Sequence, residues 1–348
     1  MPKLRILLVQ LGANGDCILV TTIAKQIKEY DYINSHLTWM VAAPYKSTLL
    51  NNPHIDDIIE VPIVSDLTIT RNNIPAFIRD YSKQKFDKIF ITDYTTDTYK
   101  NWYGTTRSSL FRSYPHPLKV KPEPVVVLSN SEIENVTEFI KENNINNATY
   151  NILFECSPNS GQSLINFERA FTIAQTIVSQ SKKIKIILSS PNKFNTDSSN
   201  IIDASSLSFR ENAELINYCD LLVGCSSGIS WICTSSWSKN TKKIQIIDPN
   251  YQNGKFSASM KNDFEFFGIS TKEIIELCNP IDTILTDCIL LANTKFSLAK
   301  RKYDKHNTAI FNNRKYLMES KLSIFHKIYY ILKQHRYTTL ILFKLVKR

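Results

Sequence analysis

Hydrophobic and polar residues alternate along this chain in blocks that are typical of an α/β protein. Short apolar runs such as residues 4–9 predict strands that are buried on both faces. Longer amphipathic segments separate these runs and predict helices. Because strands that alternate with helices form parallel sheets through crossover connections, we expect an α/β fold with more than one parallel sheet.

The predicted elements divide into two halves. In the first half the predicted strands are Arg5–Leu11, Thr38–Ala42, Ile58–Pro62, Lys88–Thr92 and Val125–Leu128, with helices near Asn73–Gln84 and at Ser131–Asn143. In the second half the strands are Tyr150–Glu155, Lys183–Leu188, Leu221–Val223 and Lys243–Ile247, with helices at Asn166–Gln180, Arg210–Asn217 and Ser230–Ser235. We therefore predict an amino-terminal domain over residues 1–145, a second domain over 146–295, and a carboxyl-terminal tail over 296–348.

Length and composition agree with this organisation. A chain of 348 residues is long enough for two domains with full cores, and 43% hydrophobic residues is ordinary for a soluble protein. No apolar run reaches the roughly 18 residues expected of a membrane span. The seven cysteines form no C-x-x-C pair, so we expect reduced, buried thiols in a cytoplasmic protein.

The basic excess of the chain lies entirely in its tail. Residues 301–348 hold twelve Lys and Arg against two acidic residues, which leaves 30 of each sign elsewhere. Within residues 321–348, apolar residues recur at helical spacing at Ile324, Phe325, Ile328, Ile331 and Leu332, a pattern typical of a helix that lies on an anionic membrane surface. Two alternatives are nucleic-acid binding, for which no base-reading motif is found, and a helix that packs back on the first domain.

The candidate chemistry is concentrated where the first strand meets its helix. Gly12 and Gly15, two of only eight glycines, precede Asp16 in the turn G-A-N-G-D. Glycine lets the backbone approach a ligand closely, and the start of a helix favours a negative group. Ligands of open α/β sheets bind at this end of the strands. Asp16 is therefore either a functional carboxylate or an ordinary helix N-cap.

This block resembles the start of the heptosyltransferase-like glycosyltransferases, family 9 of the GT-B superfamily. The resemblance is carried by Gly12–Asp16, by Thr38 and Trp39, and by N-P-H-I-D at Asn52–Asp56. A second block, Leu207–Ser236, resembles the donor segment of the family. Over roughly residues 4–250 the resemblance implies a GT-B fold, with two Rossmann-like domains whose parallel sheets face across a cleft. It also implies inverting transfer of a sugar from a nucleotide-activated donor.

The donor segment departs from the family pattern D-[ST]-G-x-x-H. Aligned through L-L-V-G, the acid of the pattern falls on Ser226 and its histidine on Trp231, while Ser227 and Gly228 match. The lysine of the family is missing from residues 156–163. We therefore expect a nucleotide sugar other than ADP-heptose. The same departures leave open an inactive member of the fold, or a non-transferase such as a nucleotide-sugar epimerase or a binding module.

The residues and the resemblance together suggest roles for individual side chains. Asp16 is the predicted general base for the acceptor hydroxyl, kept ionised by the helix end. Two turns, after the predicted strands at 150–155 and 221–223, can receive the leaving diphosphate, although helix capping is an alternative for both. The predicted donor-binding residues are Gly12, Asn14, Gly15, Glu155, Ser157, Asn159, Ser160, Gln162, Ser208, Ser226, Ser227 and Gly228.

The remaining expectations concern metal, acceptor and location. No D-x-D pair follows a strand, so we predict a metal-independent reaction with no cofactor beyond the nucleotide-sugar co-substrate. Asp93 and Asp97 either line the acceptor side or lie in a solvated loop, and Trp231 either stacks on a ligand or packs in the core. We expect a bacterial enzyme at the inner face of the cytoplasmic membrane that builds a surface glycan such as capsule, O-antigen or lipopolysaccharide core.

Overall fold

A computed structural model describes residues 3–81, 86–95, 98, 103–145, 149–158, 160–249 and 256–304, together with Ile324 and Ile328. Predictions that fall on Asn159, on Asp97 and on nearly all of the basic tail therefore lie outside the described residues. Ile324 and Ile328 are helical and exposed.

The first sheet is parallel and has four strands. They are β1 (Arg5–Val9), β2 (His36–Ala42), β3 (Asp57–Val61) and β4 (Lys88–Ile91), in the order β3-β2-β1-β4. Leu8 of β1 pairs with Trp39 on one side and with Phe90 on the other. The associated helical segments are α1 (Asn14–Gln26) with a π-helical turn (Ile27–Asp31), a 3₁₀ helix (Ala43–Leu49), α2 (Leu67–Asn72) and α3 (Ile74–Tyr81). The central position of β1 explains its continuous apolar run.

The chain between the two sheets contains β5 (Gly104–Thr105), α4 (Thr106–Arg112) and α5 (Asn130–Glu142). The predicted strand Val125–Leu128 is wrong, because this segment is extended but joins no sheet. Its backbone groups are instead bound by side chains: the Val125 N–H donates to Thr21 Oγ1 at 2.8 Å, and the Val125 carbonyl accepts from Asn52 at 3.3 Å. Most of its apolar side chains are nonetheless buried.

The second sheet has six parallel strands. They are β6 (Tyr150–Glu155), β7 (Ile184–Ser189), β8 (Ile201–Asp203), β9 (Leu221–Gly224), β10 (Lys242–Ile247) and β12 (Ile274–Cys278), in the order β12-β10-β9-β6-β7-β8. The helical segments are α6 (Phe167–Gln180), α7 (Asn212–Leu215) with a 3₁₀ turn (Ile216–Tyr218), α8 (Gly228–Ile232), α9 (Met260–Phe266) and α10 (Asp282–Tyr303). Strands β8 and β12 and helices α9 and α10 were not predicted from the sequence.

The two halves of the molecule are joined by more than the connecting chain. A short strand β11 (Phe256–Ser257) pairs in parallel with β5, Gly104 lying opposite Phe256. Helix α1 packs against α8, and one hydrophobic core contains residues from both halves, such as Leu8 and Leu222. The predicted boundaries at residues 145 and 295 stay predictions. Helix α10 is kinked at Lys295, whose φ of −145° and ψ of 79° are not helical.

Two further observations concern cysteines and membrane spans. All seven cysteines are free, and all but Cys278 are buried. Within the described part of the chain, no helix combines the length and apolar character needed to cross a membrane.

Candidate active site between two glycine turns

Asp16 lies in the first turn of α1, at the carboxyl end of the central strand β1. The N-cap of this helix is Ala13, so the alternative of Asp16 as an N-cap is wrong. The Asp16 carboxylate instead accepts a hydrogen bond from the backbone of Ala13, and a quarter of its side chain (25%) is exposed. Asp16 is thus fixed by the glycine turn, and part of its side chain is accessible to solvent.

Two residues that are distant in sequence complete the surroundings of Asp16. Arg71 of α2 places Nη2 3.3 Å from Asp16 Oδ2 and Nε 2.6 Å from Asp93 Oδ1. Asp93, which follows β4, is fully buried and accepts backbone hydrogen bonds from Leu11 and Tyr94, both at 2.7 Å. The interpretation of Asp93 as part of a solvated loop is therefore wrong.

The proton affinity of Asp16 is higher than that of an ordinary aspartate. The pKa of Asp16 is raised from 3.8 to about 6, chiefly by burial; Arg71 lowers it and the nearby Asp93 carboxylate raises it within that net shift. The expectation of a carboxylate favoured by the helix end thus needs correction, since desolvation outweighs the favourable contacts. A pKa just below neutrality leaves Asp16 mostly ionised at pH 7 and able to accept a proton, as a general base requires.

The turn before Asp16 can be built only with glycine at position 12. A Cβ atom added to Gly12 would lie 2.3 Å from Cδ2 of Tyr45, and the φ angle of Gly12 is +157°. The Gly12 carbonyl accepts from Arg71 Nη2 at 2.5 Å and from Gln10 Nε2 at 3.1 Å. Asn14, whose Oδ1 accepts from Thr48 at 2.8 Å, anchors the same turn to the 3₁₀ helix. The turn is therefore held from three sides.

A second turn, from the other half of the molecule, faces the first. A Cβ atom built on Gly15 would lie 3.3 Å from Cα of Gly228, the first residue of α8. A Cβ built on Gly228 would lie 3.1 Å from the ring of Phe209, so the loop that carries Ser208 is also adjacent. The structure thus brings together the two turns that the sequence singled out separately, one for the catalytic carboxylate and one for the donor.

Ser226 has an unusual backbone conformation within the second turn. Its φ angle is +54°, a conformation uncommon for a residue with a side chain. Its N–H donates to Gln245 Oε1 at 2.8 Å, and its carbonyl accepts from the Trp231 indole at 3.1 Å. Ser226 Oγ is buried and has no hydrogen-bond partner among the described residues. Trp231 is 2% exposed, which supports its interpretation as a core residue.

Glu155 accepts hydrogen bonds from this turn. Its buried carboxylate accepts from Ser230 Oγ at 2.7 Å, from the Cys225 N–H at 2.9 Å, and from Ser227 Oγ in a short hydrogen bond. Burial raises the pKa of Glu155. Since its oxygens already bind protein donors, the geometry indicates that Glu155 positions the turn rather than binding a sugar hydroxyl directly.

The loop after β6 offers polar groups that the protein does not use. Ser157 and Ser160 are partly exposed, whereas Gln162 is buried. Ser160 Oγ and Gln162 Oε1 are buried atoms with no described hydrogen-bond partner, which is rare in folded proteins. In contrast, Ser208 exchanges hydrogen bonds with Glu211, the N-cap residue of α7, so its N–H and hydroxyl already have protein partners.

Sequence reasoning missed several residues that shape this site. Arg71 stands in an unremarkable polar segment, and neither Tyr45 nor Gln245 belongs to a recognisable motif. Asp93 carried a usable signal, because it follows a strand that was predicted correctly and β4 pairs with β1. Among the residues that the structure describes, no group of three or more His, Cys, Asp or Glu side chains is arranged to hold a metal ion.

Comparison with solved structures finds a similar fold in two glycosyltransferases. A family 9 glycosyl transferase from Veillonella parvula DSM 2008 matches with a TM-score of 0.55 and 14% identity, covering 92% of this chain and 99% of that one. The ADP-heptose lipopolysaccharide heptosyltransferase II of E. coli matches with a TM-score of 0.50 and 12% identity, covering 73% and 87% of the two chains. No protein-family model and no curated protein matches. The chain has the GT-B fold that its sequence predicted.

Proposed function

We propose that this protein is a glycosyltransferase that moves a sugar from a nucleotide-activated donor to an acceptor hydroxyl. The observation that carries the proposal is the position of Asp16. This partly exposed carboxylate, with a pKa of about 6, lies where a glycine turn from each half of a GT-B fold meets the other. Such a group can remove the acceptor proton as the hydroxyl attacks.

The donor is proposed to bind on the side of the second sheet. The leaving diphosphate would be received by neutral donors, namely Ser226 Oγ, the backbone N–H groups of Ser227 and Gly228, and the loop after β6, since the Ser226 N–H and the Ser227 hydroxyl already donate to Gln245 and Glu155. Ser226 Oγ and Ser160 Oγ, which are buried and have no hydrogen-bond partner among the residues that the structure describes, support this assignment because a bound ligand would satisfy them. Since the acid of the family pattern is replaced by Ser226, we propose a nucleotide sugar other than ADP-heptose.

The chemistry proposed is a single displacement. Asp16 takes the proton of the acceptor hydroxyl, the acceptor oxygen forms a bond to the anomeric carbon, and the bond from that carbon to the diphosphate breaks. Attack from the face opposite the leaving group inverts the anomeric configuration. We propose that the reaction proceeds without a metal ion, with hydrogen bonds stabilising the charge of the departing diphosphate.

The acceptor and location are proposed from the charge of the tail. A basic, apolar segment over residues 321–348 would hold the enzyme on the inner face of the cytoplasmic membrane, beside a lipid-linked acceptor. A surface glycan such as capsule, O-antigen or lipopolysaccharide core fits this arrangement.

A second candidate is a GT-B protein without transferase activity. The observation that favours it is the replacement of the acid and the histidine of the family pattern by Ser226 and Trp231. Such a protein would be an inactive member, a nucleotide-sugar epimerase or a binding module.

A donor screen followed by one substitution tests the proposal. A true donor should raise the melting temperature of the protein by mass action, and transfer from that donor should then be measurable. Asp16→Ala should keep donor binding and lower kcat by roughly 10²-fold or more. Asp80→Asn, a change of an exposed carboxylate, is the control. Near-normal transfer by Asp16→Ala would refute the assignment of the base. No response to any nucleotide sugar would favour an inactive member of the fold.

A further inference from the structure

We propose that Arg71 and Asp93 are positioning residues for Asp16: Asp93 fixes the guanidinium of Arg71, and Arg71 fixes both the Asp16 carboxylate and the Gly12 carbonyl. The inference rests on the proposed role of Asp16 as the general base. The sequence suggested no role for Arg71 and offered Asp93 only a place on the acceptor side or in a solvated loop, because α2 and the end of β4 reach Asp16 only through the topology of the first sheet.

Asp93 is anchored on every side that the structure describes. One oxygen accepts the Leu11 N–H at 2.7 Å, at the start of the glycine turn, and the other accepts the Tyr94 N–H at 2.7 Å and Arg71 Nε at 2.6 Å. Its side chain has no exposed surface. A fully buried carboxylate requires such compensation, and the guanidinium supplies its countercharge.

Arg71 links the glycine turn over Gly12–Asp16 to the end of β4. It donates to Gly12 O at 2.5 Å, to Asp93 Oδ1 at 2.6 Å, and to Asp16 Oδ2 at 3.3 Å, while 16% of its side chain remains exposed. The planar guanidinium presents several donors in a fixed geometry, which a lysine ammonium lacks. Movement of Arg71 would therefore displace the turn and the carboxylate together.

The two residues act on Asp16 with opposite electrostatic signs. The charge of Arg71 lowers the pKa of Asp16 and that of Asp93 raises it. The other titratable groups coupled to this cluster are Cys17 and Tyr45, whose own pKa values are raised by burial. Helix α8, which packs on α1, carries no ionisable side chain. On α4, the side chain of Arg107 is paired with Asp263, and that of Arg112 lies over the Tyr103 ring. Substituting Arg71 and substituting Asp93 should thus shift the pKa of Asp16 in opposite directions.

The test is an NMR titration of the full-length protein labelled with ¹³C at the aspartate carboxyl carbon. The Asp16 signal is assigned by its loss in Asp16→Asn. Arg71→Met should raise the pKa of Asp16 by about one unit or more, a tenfold change in proton affinity, since an opposite charge at this distance is lost. Asp93→Asn should lower it by about half a unit or more, because a repelling charge is removed and Arg71 becomes free to pair with Asp16.

Controls and a second variant keep the test decisive. Arg79→Met and Asp80→Asn change an exposed ion pair on α3 with a separation of 3.2 Å, and both should leave the pKa of Asp16 in place. Arg71→Lys retains the charge without the planar guanidinium and should raise the pKa of Asp16 less than Arg71→Met does. It replaces Arg71→Met in the test if Arg71→Met does not fold. An unchanged pKa, or shifts of the same sign in the Arg71 and Asp93 variants, would overturn the proposal.

The titration needs no substrate, so its outcome is separate from that of the proposed function. If the protein transfers a sugar, the acid limb of its kcat/KM profile should move with the pKa in each variant. If wild-type protein transfers nothing from any donor while the opposite shifts are observed, the glycosyltransferase assignment fails and the positioning of Asp16 by Arg71 and Asp93 stands.

Discussion

A buried ion pair between the two halves of the molecule provides a stringent test of the fold. Arg107 on α4 is 1% exposed and pairs with Asp263 on α9, which is completely buried. The carbon at the centre of the guanidinium lies 5.3 Å from the ring centre of Trp231, 4.8 Å from Phe264 and 5.1 Å from Phe267. We predict that Arg107→Ala strongly destabilises the protein.

The magnitude follows from what the substitution leaves behind. Asp263 would keep two hydrogen bonds, from the Arg107 backbone N–H at 3.0 Å and from Thr105 Oγ1 at 2.5 Å, but would lose its countercharge. Removing one partner of a buried ion pair costs about 3–5 kcal/mol. Loss of the guanidinium from among three rings adds to this cost. Because an entire domain is stabilised by only about 5–15 kcal/mol, the effect should be unmistakable.

The assay is urea unfolding followed by circular dichroism and by tryptophan fluorescence. Arg79→Ala, at a site where 74% of the side chain is exposed, should change the free energy of unfolding by less than about 0.5 kcal/mol. In a double-mutant cycle, Arg107→Met with Asp263→Asn should cost less than the sum of the single changes by roughly 2 kcal/mol. A loss below about 1 kcal/mol for Arg107→Ala, or full additivity in the cycle, would refute the reasoning.

Two further predictions concern a buried lysine and the tail. Lys243 is 3% exposed, and burial lowers its pKa from 10.5 to about 8. Between about pH 8 and 10.5 the unfolded chain therefore binds more protons than the folded chain, so the stability of the protein should rise with pH across this range. The free energy of unfolding of the wild-type protein should rise by an amount on the order of 2–3 kcal/mol between pH 7.5 and 10, and Lys243→Met should lose this rise. Urea unfolding measures it, with the exposed Lys242→Met as the control. Equal pH dependence in the two variants would contradict the prediction. Truncation after residue 320 removes seven Lys and Arg, each contributing about 1 kcal/mol near an anionic surface, and should release the protein from anionic vesicles in sedimentation assays. Continued sedimentation, or unfolding of the truncated chain, would show that the tail is part of the folded body.

Local patterns were sufficient to predict the elements whose residues share one environment. The strand–turn–helix unit at the start of the chain was predicted because β1 is buried on both faces and its turn needs glycine. Strands β6, β7, β9 and β10 were predicted because they too are buried on both faces. Strand β12 was missed because it contains Glu276, which is fully buried yet compensated by Ser259 Oγ at 2.7 Å and the Lys261 N–H at 2.8 Å. A charge inside an apolar run indicates exposure unless its partners are known.

The site was predictable only in part, for a related reason. Asp16 and Gly228 could each be proposed from a motif, but their proximity depends on the packing of α1 against α8. Arg71 lies 55 residues from Asp16, and only the strand order of the first sheet brings them together. The roles of Glu155 and of Ser208 also depend on hydrogen bonds that no spacing in the sequence indicates.

The hydrophobic core that both halves share has a consequence for how the chain folds. It contains residues such as Val20 and Ile232, which are separated by most of the chain. Contacts of such long range close only after a large loss of chain entropy, which slows folding and leaves apolar surface exposed meanwhile. We therefore expect the amino-terminal half, as it emerges from the ribosome, to require a chaperone until α8 has been synthesised.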